Sequence, residues 1–344
     1  MATPKRVFIA GIAGFLGSHI AELYRSKDVE VIGIDNLTKF ELNRTGYKVE
    51  DVRNYNVNFL KSINAKLVVG DIRDIELVRL TTKSCDYIIN TAAQPAMTVA
   101  LEDPHYDADN NIMGTLNLLQ VAREMNIPVA LCSTIHVYGN GINDEIFEDT
   151  DGFYRKPSTI SEKHKLLTGQ ITPLHVSKYA TELYARAFTE SYGTKVAIFR
   201  LTGIYGPRQF GGEDHGWVAN FCIRTLLDMP IKVFGTDKQV RDILYVKDAA
   251  QAFSDWYENG QKSGVYNVGG GKPCIVSIKD VLRMLETPED LITLEPARKG
   301  DLYYFCCNYS KARESFRWTP KVLPKEGLKK LVEWVEKNRS MFRK

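Results

Sequence analysis

The chain has 344 residues, of which 44% are hydrophobic and 25% charged, and its net charge is only +3. This composition excludes a disordered protein, a collagen-like fibre and a small disulfide-bonded domain. Basic and acidic residues are interspersed and form no basic stripe, so we expect no nucleic-acid partner. The length allows two domains around a core large enough to close over a small-molecule site.

Neither the cysteines nor the apolar segments indicate a secreted or membrane protein. The six cysteines form no Cys-x-x-Cys pair and no Cys/His set with zinc spacing, which favours buried reduced thiols and no bound metal. The apolar run over 7–16 is shorter than the roughly 20 residues that span a bilayer and has no cleavage site. We therefore expect a cytoplasmic protein without a membrane partner.

Strand-like and helix-like segments alternate over the first 135 residues. The strand-like segments are short and apolar throughout, as expected of strands buried on both faces, and cover 7–10, 31–34, 67–69, 87–89 and 129–132. Apolar residues at helical spacing predict a helix over 111–125. This alternation predicts an α/β fold with a doubly wound parallel sheet of the Rossmann type.

The alternation loosens after Arg200. Turn residues cluster over 203–216, and a helix-like segment over 246–257 followed by a strand-like segment over 265–268 indicates a return to the main sheet. We therefore predict a Rossmann domain of residues 1–205 and 242–270, and a smaller mixed α/β substrate domain of residues 206–241 and 271–344.

A glycine-rich loop joins the first predicted strand to the first predicted helix. Its spacing is Gly-x-x-Gly-x-x-Gly, from Gly11, Gly14 and Gly17 with Phe15 and Leu16 between the last two, and the loop opens a helix at Ser18. Glycines allow a pyrophosphate to approach the backbone, and the helix N-terminus offers it unpaired N–H groups. Asp35 ends the second strand, where a carboxylate can bind both ribose hydroxyls and would repel a 2′-phosphate, which favours NAD over NADP.

This glycine spacing resembles the extended short-chain dehydrogenase/reductase superfamily, in the branch that acts on nucleotide sugars. Further residues follow in that family's order and spacing, namely Asn36, Asp71, Ile72, Ala92, Ala93, Gln94 and Asn111. The resemblance implies that they contact the cofactor, with Asp71 and Ile72 near the adenine and the segment after the fourth strand beneath the dinucleotide.

The family handles the substrate proton with a hydroxyl residue, a tyrosine and a lysine, while the nicotinamide carries the hydride. By resemblance, Thr134 is the hydroxyl residue and Lys178 is the lysine. The tyrosine must lie four residues before the lysine to share its helix face, and this chain has Leu174 there. No Tyr-x-x-x-Lys occurs elsewhere in the sequence. Loss of a general base costs about 10²–10⁴ in rate.

Three interpretations of the missing tyrosine stay open. Another residue could take the proton, either His136, at the position where related dehydratases carry an acid, or His175, beside Leu174. Lys178, or Thr134 with a water molecule, could act directly, since desolvation lowers the pKa of a lysine. Alternatively, the chain binds NAD and a nucleotide sugar without catalysing a redox step.

The resemblance is strongest to the 2-epimerases that convert CDP-paratose to CDP-tyvelose, through residues 205–210, 216–218, 238–242 and 318–322. It implies substrate contacts from Thr134, Arg208, Gln209, Trp217, Arg241 and Arg298, with the arginines on the diphosphate and ribose. Trp217 could equally stack on a base or fill core.

We therefore expect an NAD-dependent nucleotide-sugar epimerase with an atypical acid/base group, and a CDP-sugar is the favoured substrate. A dehydratase or elimination enzyme that uses His136 is one alternative, although the Ile135-His136 pair lacks the Asp-Glu of ordinary 4,6-dehydratases. A catalytically silent binding protein is the other. The resemblance also implies a homodimer or higher homo-oligomer, formed through the helices predicted over 111–125 and 176–192.

Overall fold

The structure, a computed structural model, describes residues 3–38, 42, 44–150 and 152–342. The strands in these ranges are β1 (Arg6–Ala10), β2 (Glu30–Asp35), β3 (Lys66–Val69), β4 (Tyr87–Asn90), β5 (Val129–Thr134), β6 (Ile146–Glu148), β7 (Phe153–Arg155), β8 (Val196–Leu201), β9 (Gly203–Tyr205), β10 (Ile231–Phe234), β11 (Val240–Tyr245), β12 (Gly264–Val268), β13 (Ile275–Ser277), β14 (Ile292–Glu295) and β15 (Tyr304–Phe305). The helices are α1 (Phe15–Arg25), α2 (Val49–Ser62), α3 (Ile75–Thr82), α4 (Met97–Glu102), α5 (Pro104–Ala108), α6 (Gly114–Met125), α7 (Pro173–Tyr192), α8 (Trp217–Leu226), α9 (Val246–Glu258), α10 (Ile278–Met284), α11 (Ser310–Phe316) and α12 (Pro324–Lys337).

Seven strands form a parallel sheet in the order β12-β8-β5-β4-β1-β2-β3. Alternate residues of β1 point to opposite faces, as in any strand. Ile9 packs in one buried cluster with Ile20 of α1 and Phe253 of α9, and Phe8 packs in another with Leu118 of α6. Helices therefore cover both faces, and the predicted doubly wound fold is confirmed.

Two of the predicted elements differ from the structure. The segment predicted over 67–69 is not buried on both faces, because β3 is the edge strand of this sheet and Val69 is 66% exposed. The helix predicted over 111–125 begins as a wider π-helical turn over Asp109–Met113, and regular α-helix starts at Gly114.

A smaller mixed sheet lies beyond the carboxyl edge of the main sheet. Its central strand β11 pairs in parallel with β9 and β15 and antiparallel with β13. Strands β10 and β14 form a parallel pair, and β6 and β7 form a hairpin. The helix and strand predicted over 246–257 and 265–268 are present as α9 and β12, which return the chain to the main sheet.

Within the described ranges, the helices are too short or too polar for any of them to cross a membrane. The cysteines are unpaired, and all but the partly buried Cys132 are buried, in agreement with the expected reduced thiols. The cytoplasmic location stays a prediction.

Candidate active site

A cavity of about 780 Å³ lies where the main sheet meets the smaller one. Parallel strands bring their carboxyl ends to one edge of a sheet, and residues that follow β1, β2, β3, β4, β5 and β8 line one side of the cavity. The loop before α8, strand β11 and the loop before β15 line the other side. The cavity therefore joins the predicted cofactor residues to the predicted substrate residues.

The glycine loop forms the wall at the end of β1. Gly11 has a φ of +76°, and a Cβ there would lie 2.7 Å from the Ala92 backbone nitrogen. Gly14 is the N-cap of α1, and Phe15 and Leu16 begin the helix on the cavity wall. The helix thus directs its first N–H groups toward the cavity, as an anion site requires.

Gly17 is closely packed against the start of the glycine loop. A Cβ on Gly17 would lie 2.1 Å from the Gly11 carbonyl oxygen and 2.9 Å from Thr91 Oγ1. Its lack of a side chain lets α1 pack against the ends of β1 and β4. Gly17 is not among the described residues that line the cavity, and the cofactor contact predicted for it stays a prediction.

Asp35 is oriented by the glycine loop. Its Oδ2 accepts a hydrogen bond of 2.9 Å from the Ala13 N–H, and its Oδ1 accepts one of 2.8 Å from the Leu37 N–H. Each carboxylate oxygen has a second lone pair, and Asp35 lies on the cavity wall. The geometry fits a carboxylate that binds ribose hydroxyls.

Asp71 and Asn36 form the next part of this wall. Asn36 Nδ2 donates to Asp71 Oδ2 at 3.0 Å, and the Arg73 guanidinium donates to both Asp71 oxygens at 2.9 and 2.8 Å. The hydrogen bonds from Arg73 lower the pKa of Asp71 to about 2. Ile72 is on the wall beside them, which gives this end both an apolar and a charged surface.

The segment after β4 runs along the cavity, and Asn111 holds it from behind. Ala92, Ala93 and Gln94 lie on the wall. Asn111 is 1% exposed; its Oδ1 accepts the Gln94 N–H at 2.9 Å, and its Nδ2 donates to Asp107 Oδ1 at 2.9 Å. Asn111 therefore supports the segment that faces the cavity, and the direct cofactor contact predicted for it stays a prediction.

Thr134, Lys178 and Leu174 meet on the wall between the two sheets. The Thr134 hydroxyl accepts a hydrogen bond of 3.3 Å from the His136 N–H. Lys178 is only 9% exposed, and burial lowers the pKa of its amine. Leu174, one turn earlier on α7, puts an apolar surface where the family's phenol would lie.

His136 reaches the cavity wall as a neutral imidazole. Burial, and to a smaller extent the neighbouring His175 and Arg241, lower its pKa to about 3. Its Nδ1 is buried and has no hydrogen-bond partner in the described part of the chain. The ring can exchange hydrogen bonds with a ligand, but it is a weak base.

His175 serves α7 rather than the cavity. Its Nδ1 accepts a hydrogen bond of 2.7 Å from the Thr172 N–H, which completes a capping box at the helix N-terminus. Its side chain is fully buried, and burial lowers its pKa. Among the described residues that line the cavity, His175 is not included, and the catalytic role predicted for it stays a prediction.

Arg208 has its charge matched within the protein. Its Nη2 donates to Glu22 Oε2 at 2.7 Å, and its guanidinium lies 3.9 Å from the centre of the Phe59 ring. Arg208 also borders the cavity, but its charge joins α1 to the loop after β9. The diphosphate contact predicted for Arg208 stays a prediction.

Arg241 and Arg298 line the opposite end of the cavity. Arg241 donates to the Val240 carbonyl at 2.9 Å, and burial lowers its pKa to about 10. The Arg298 guanidinium lies 3.5 Å from the centre of the Phe234 ring and donates to the Glu213 carbonyl at 2.7 Å. Partners on one side hold each guanidinium on this wall, as an anion site would require.

The remaining predicted substrate residues also lie on the wall. Gln209 Nε2 donates to the Ile204 carbonyl at 3.1 Å. Trp217 begins α8, and its ring meets Phe221 edge-on at 5.6 Å. Trp217 is partly buried, so it both packs in the core of the smaller region and faces the cavity.

Sequence reasoning missed several polar residues of the wall. Lys299 and Asp301 belong to the segment that contains Arg298, and Lys232 comes from β10. The buried neighbours of Lys232 in β10, Ile231 and Val233, show the alternation that could have indicated its direction. The end that contains Arg241 therefore carries both cations and carboxylates, and Lys232 pairs with Glu213 there at 3.4 Å.

Comparison with known proteins identifies the class. Residues 7–269 match the NAD dependent epimerase/dehydratase family. CDP-paratose 2-epimerase of Salmonella typhi is 31% identical, with 96% of this chain and 99% of that protein covered. UDP-glucuronate 4-epimerase of Thermodesulfobacterium geofontis is 28% identical, with 96% of each covered.

Solved structures of similar proteins have the same fold as this chain. The UDP-glucose 4-epimerase of Thermotoga maritima, solved with UDP-glucose, is 28% identical with a TM-score of 0.79 over 97% of this chain and 99% of that one. The UDP-glucose 4-epimerase of Thermus thermophilus, solved with NAD, is 30% identical with a TM-score of 0.77 over 96% and 99%.

The chain therefore belongs to the NAD-dependent epimerase/dehydratase family of extended short-chain dehydrogenases/reductases. Its class is that of NAD-dependent enzymes that epimerise or dehydrate nucleotide sugars.

Proposed function

We propose that this protein epimerises a nucleotide sugar, with a CDP-sugar favoured, by oxidising one sugar carbinol and reducing the ketone from its other face. The observation that carries the proposal is the shared cavity, whose walls include the glycine loop, Thr134 and Lys178, and the end with Arg241 and Arg298. The similarity to a CDP-paratose 2-epimerase over 96% of the chain supports the choice of substrate and carbon.

In this proposal residues 1–205 and 242–270 bind NAD, and residues 206–241 and 271–344 bind the nucleotide sugar. The cofactor when bound accepts a hydride and returns it. The loop from Gly11 to Leu16 would hold the pyrophosphate, Asp35 the ribose hydroxyls, and Asp71 with Ile72 the adenine. Arg241 and Arg298 would hold the diphosphate of the sugar nucleotide, because a planar guanidinium suits paired phosphate oxygens.

Lys178 is the best candidate for the proton acceptor. Burial moves the pKa of its amine toward neutrality, and Leu174 leaves no phenol between that amine and the cavity. Thr134 could pass the proton from the sugar hydroxyl. His136, with a pKa of about 3, suits hydrogen bonding to the sugar better than proton uptake.

The low pKa of His136 weighs against an elimination that uses this residue as its acid, because a group with a pKa of about 3 holds almost no proton at neutral pH. A catalytically silent binding protein is the competing function, and Leu174 is the observation that favours it.

The protein incubated with NAD and, separately, CDP-, UDP-, GDP- and dTDP-sugars tests the proposal by proton NMR. We expect a new epimer from one nucleotide class, with no deuterium from heavy water at the inverted carbon, because the returned hydride does not exchange with solvent. Lys178→Met should abolish turnover while sugar-nucleotide binding persists. Binding without turnover by the unaltered protein would instead establish the silent alternative.

We also propose a homodimer formed through α7. Apolar side chains on that helix are exposed to solvent, namely Val176, Leu183, Tyr184 and Tyr192, and Met113 beside α6 is 48% exposed. Light scattering should give twice the mass of the chain, and Leu183→Glu should shift it to the monomer. A monomeric unaltered protein would contradict the dimer.

A further inference from the structure

Two histidine side chains, one after β5 and one at the start of α7, lie next to each other. The centres of the His136 and His175 rings are 5.8 Å apart, and the ring planes are inclined at 51°. His136 Nδ1 and His175 Nε2 are both buried, and neither has a hydrogen-bond partner among the residues that the structure describes. A buried ring nitrogen in this state is costly, because it has given up its hydrogen bonds to water. These two neighbouring nitrogens therefore favour a hydrogen bond between the rings.

The position of the proton on His175 follows from its role in the helix cap. The Thr172 N–H donates to His175 Nδ1 at 2.7 Å. A backbone N–H can only donate, so Nδ1 is the unprotonated nitrogen. Burial lowers the pKa of His175, which keeps the ring neutral with a single N–H. That N–H is consequently on Nε2, and a half turn of the ring would break the bond to Thr172.

His136 has the complementary arrangement. It lines the cavity, and because Nδ1 is its buried nitrogen, Nε2 is the one that can meet a ligand. With a pKa lowered to about 3 by burial, the ring is neutral and has one proton to place. A hydrogen bond from the His175 N–H to His136 Nδ1 leaves that proton on Nε2. Ring centres 5.8 Å apart allow this bond after a small ring movement or through one water molecule.

We propose that His175 is a positioning residue that holds His136 in the tautomer whose proton is on Nε2. The hydrogen bonds then run in one direction, from the Thr172 N–H through His175 to His136, and His136 presents an N–H donor to the cavity. What this donor binds rests on the proposed function: it would donate to an oxygen of the bound sugar. A donor suits that place, because a ketone oxygen can only accept a hydrogen bond.

Nitrogen-15 NMR of the protein labelled in its histidine rings tests this order, because protonated and unprotonated ring nitrogens resonate far apart. The chain has six histidines, and the signals missing from His136→Gln and from His175→Asn identify the two residues. In the unaltered protein with NAD and no sugar, we expect the proton on Nε2 of both rings. A proton on Nδ1 of either ring would overturn the inference.

Two variants separate the hydrogen bond to His136 from the helix cap. In His175→Asn the amide oxygen can take the place of Nδ1 and keep the cap, but no donor reaches the place of Nε2. We expect the two His136 nitrogen signals to move toward each other, since its tautomers then exchange. In His175→Gln the amide nitrogen can take the place of Nε2 while the cap is lost. The His136 signals should stay apart there, although the midpoint of chemical unfolding falls.

Unmoved His136 signals in a folded His175→Asn variant would refute the positioning role, because a role confined to the cap predicts a change only in His175→Gln. If neither variant folds, the site of the proton in the unaltered protein decides the question. These spectra need neither a sugar nor turnover. Absence of turnover by the unaltered protein would therefore refute only the proposed function.

Discussion

At the scale of single residues, the apolar side chain of Leu174 decides how proton transfer can occur. It lies on the cavity wall one helical turn before Lys178. Leucine holds no proton, so the proposed function assigns the proton to the amine of Lys178, whose pKa burial lowers. This difference comes from a single residue of α7, the leucine at position 174.

The substitution Leu174→Tyr should restore a phenol beside Lys178. The ammonium and the cofactor's positive ring both favour the phenolate, which makes it a base near neutrality. We expect sugar oxidation to become about tenfold faster or more, measured as reduced nicotinamide in a single turnover.

Leu174→Phe is the matched control, because it adds the ring without the hydroxyl. It should leave the rate unchanged or lower it. An equal gain in both variants would assign the effect to packing, and an unchanged rate in Leu174→Tyr would mean that another group already fills the role.

Asp35 provides a second prediction at this scale. Its removal in Asp35→Ala takes away the acceptor for the ribose hydroxyls and the anchor of the Ala13 N–H. We expect the Kd for NAD to rise about 10- to 100-fold, since a hydrogen bond to a charged group contributes about 1.5–3 kcal/mol. Calorimetric titration with a CDP-sugar should give a nearly unchanged Kd, and equal losses for both ligands would contradict the ribose assignment.

At the scale of elements, the strands and helices follow local sequence patterns closely. The strands predicted over 7–10, 31–34 and 87–89 agree with β1, β2 and β4 within a residue or two at each end. The exposure of β3 was not predictable, because position within a sheet depends on strand order rather than on the strand's own residues. The π-helical turn before α6 contains Asn111, which holds Gln94 from a distant segment.

The start of α7 gives an element-scale prediction. His175→Ala removes the side chain that accepts the Thr172 N–H and leaves a cavity in a fully buried position. We expect unfolding free energy to fall by about 2 kcal/mol, from the lost cap and the cavity together. Chemical denaturation measures this loss.

The pH profile of kcat should be the same in His175→Ala as in the unaltered protein, because the ring lies behind the cavity wall. A shifted limb in that pH profile would indicate that His175 acts as an acid/base residue. Thr172→Ala, which alters the same capping box without removing the imidazole, is the control for helix stability alone.

At the scale of the whole molecule, buried ionisable groups make stability depend on pH. Burial raises the pKa of Asp242 in β11 to about 7, well above the value near 4 of an unfolded chain. The folded state therefore binds more protons between about pH 4 and 7, and this group's stabilising effect is lost as pH rises through that window. His19 and His136 act oppositely, because burial lowers their pKa values to about 4 and about 3.

The substitution Asp242→Asn isolates the pH dependence of stability that comes from Asp242. As the pH rises from about 4 to 7, the unaltered protein should lose up to about 1.4 kcal/mol of unfolding free energy per pH unit relative to the variant. Thermal unfolding over pH 5 to 8 measures the trend. A difference that does not vary with pH would mean that Asp242 titrates at its ordinary pKa.

The sequence by itself determined the alternation of strands and helices, the glycine loop with Asp35 beyond it, and the replacement of a tyrosine by Leu174. These features are local, because the patterns of strand burial, helix periodicity and residue spacing can be recognised from residues close together in the sequence. Tertiary structure alone decided which charges are free to meet a ligand. Arg208 pairs with Glu22, 186 residues away, and Arg298 donates to the Glu213 carbonyl, 85 residues away. Such partners depend on how distant segments pack, because burial and side-chain direction are set only when the sheets close around the cavity.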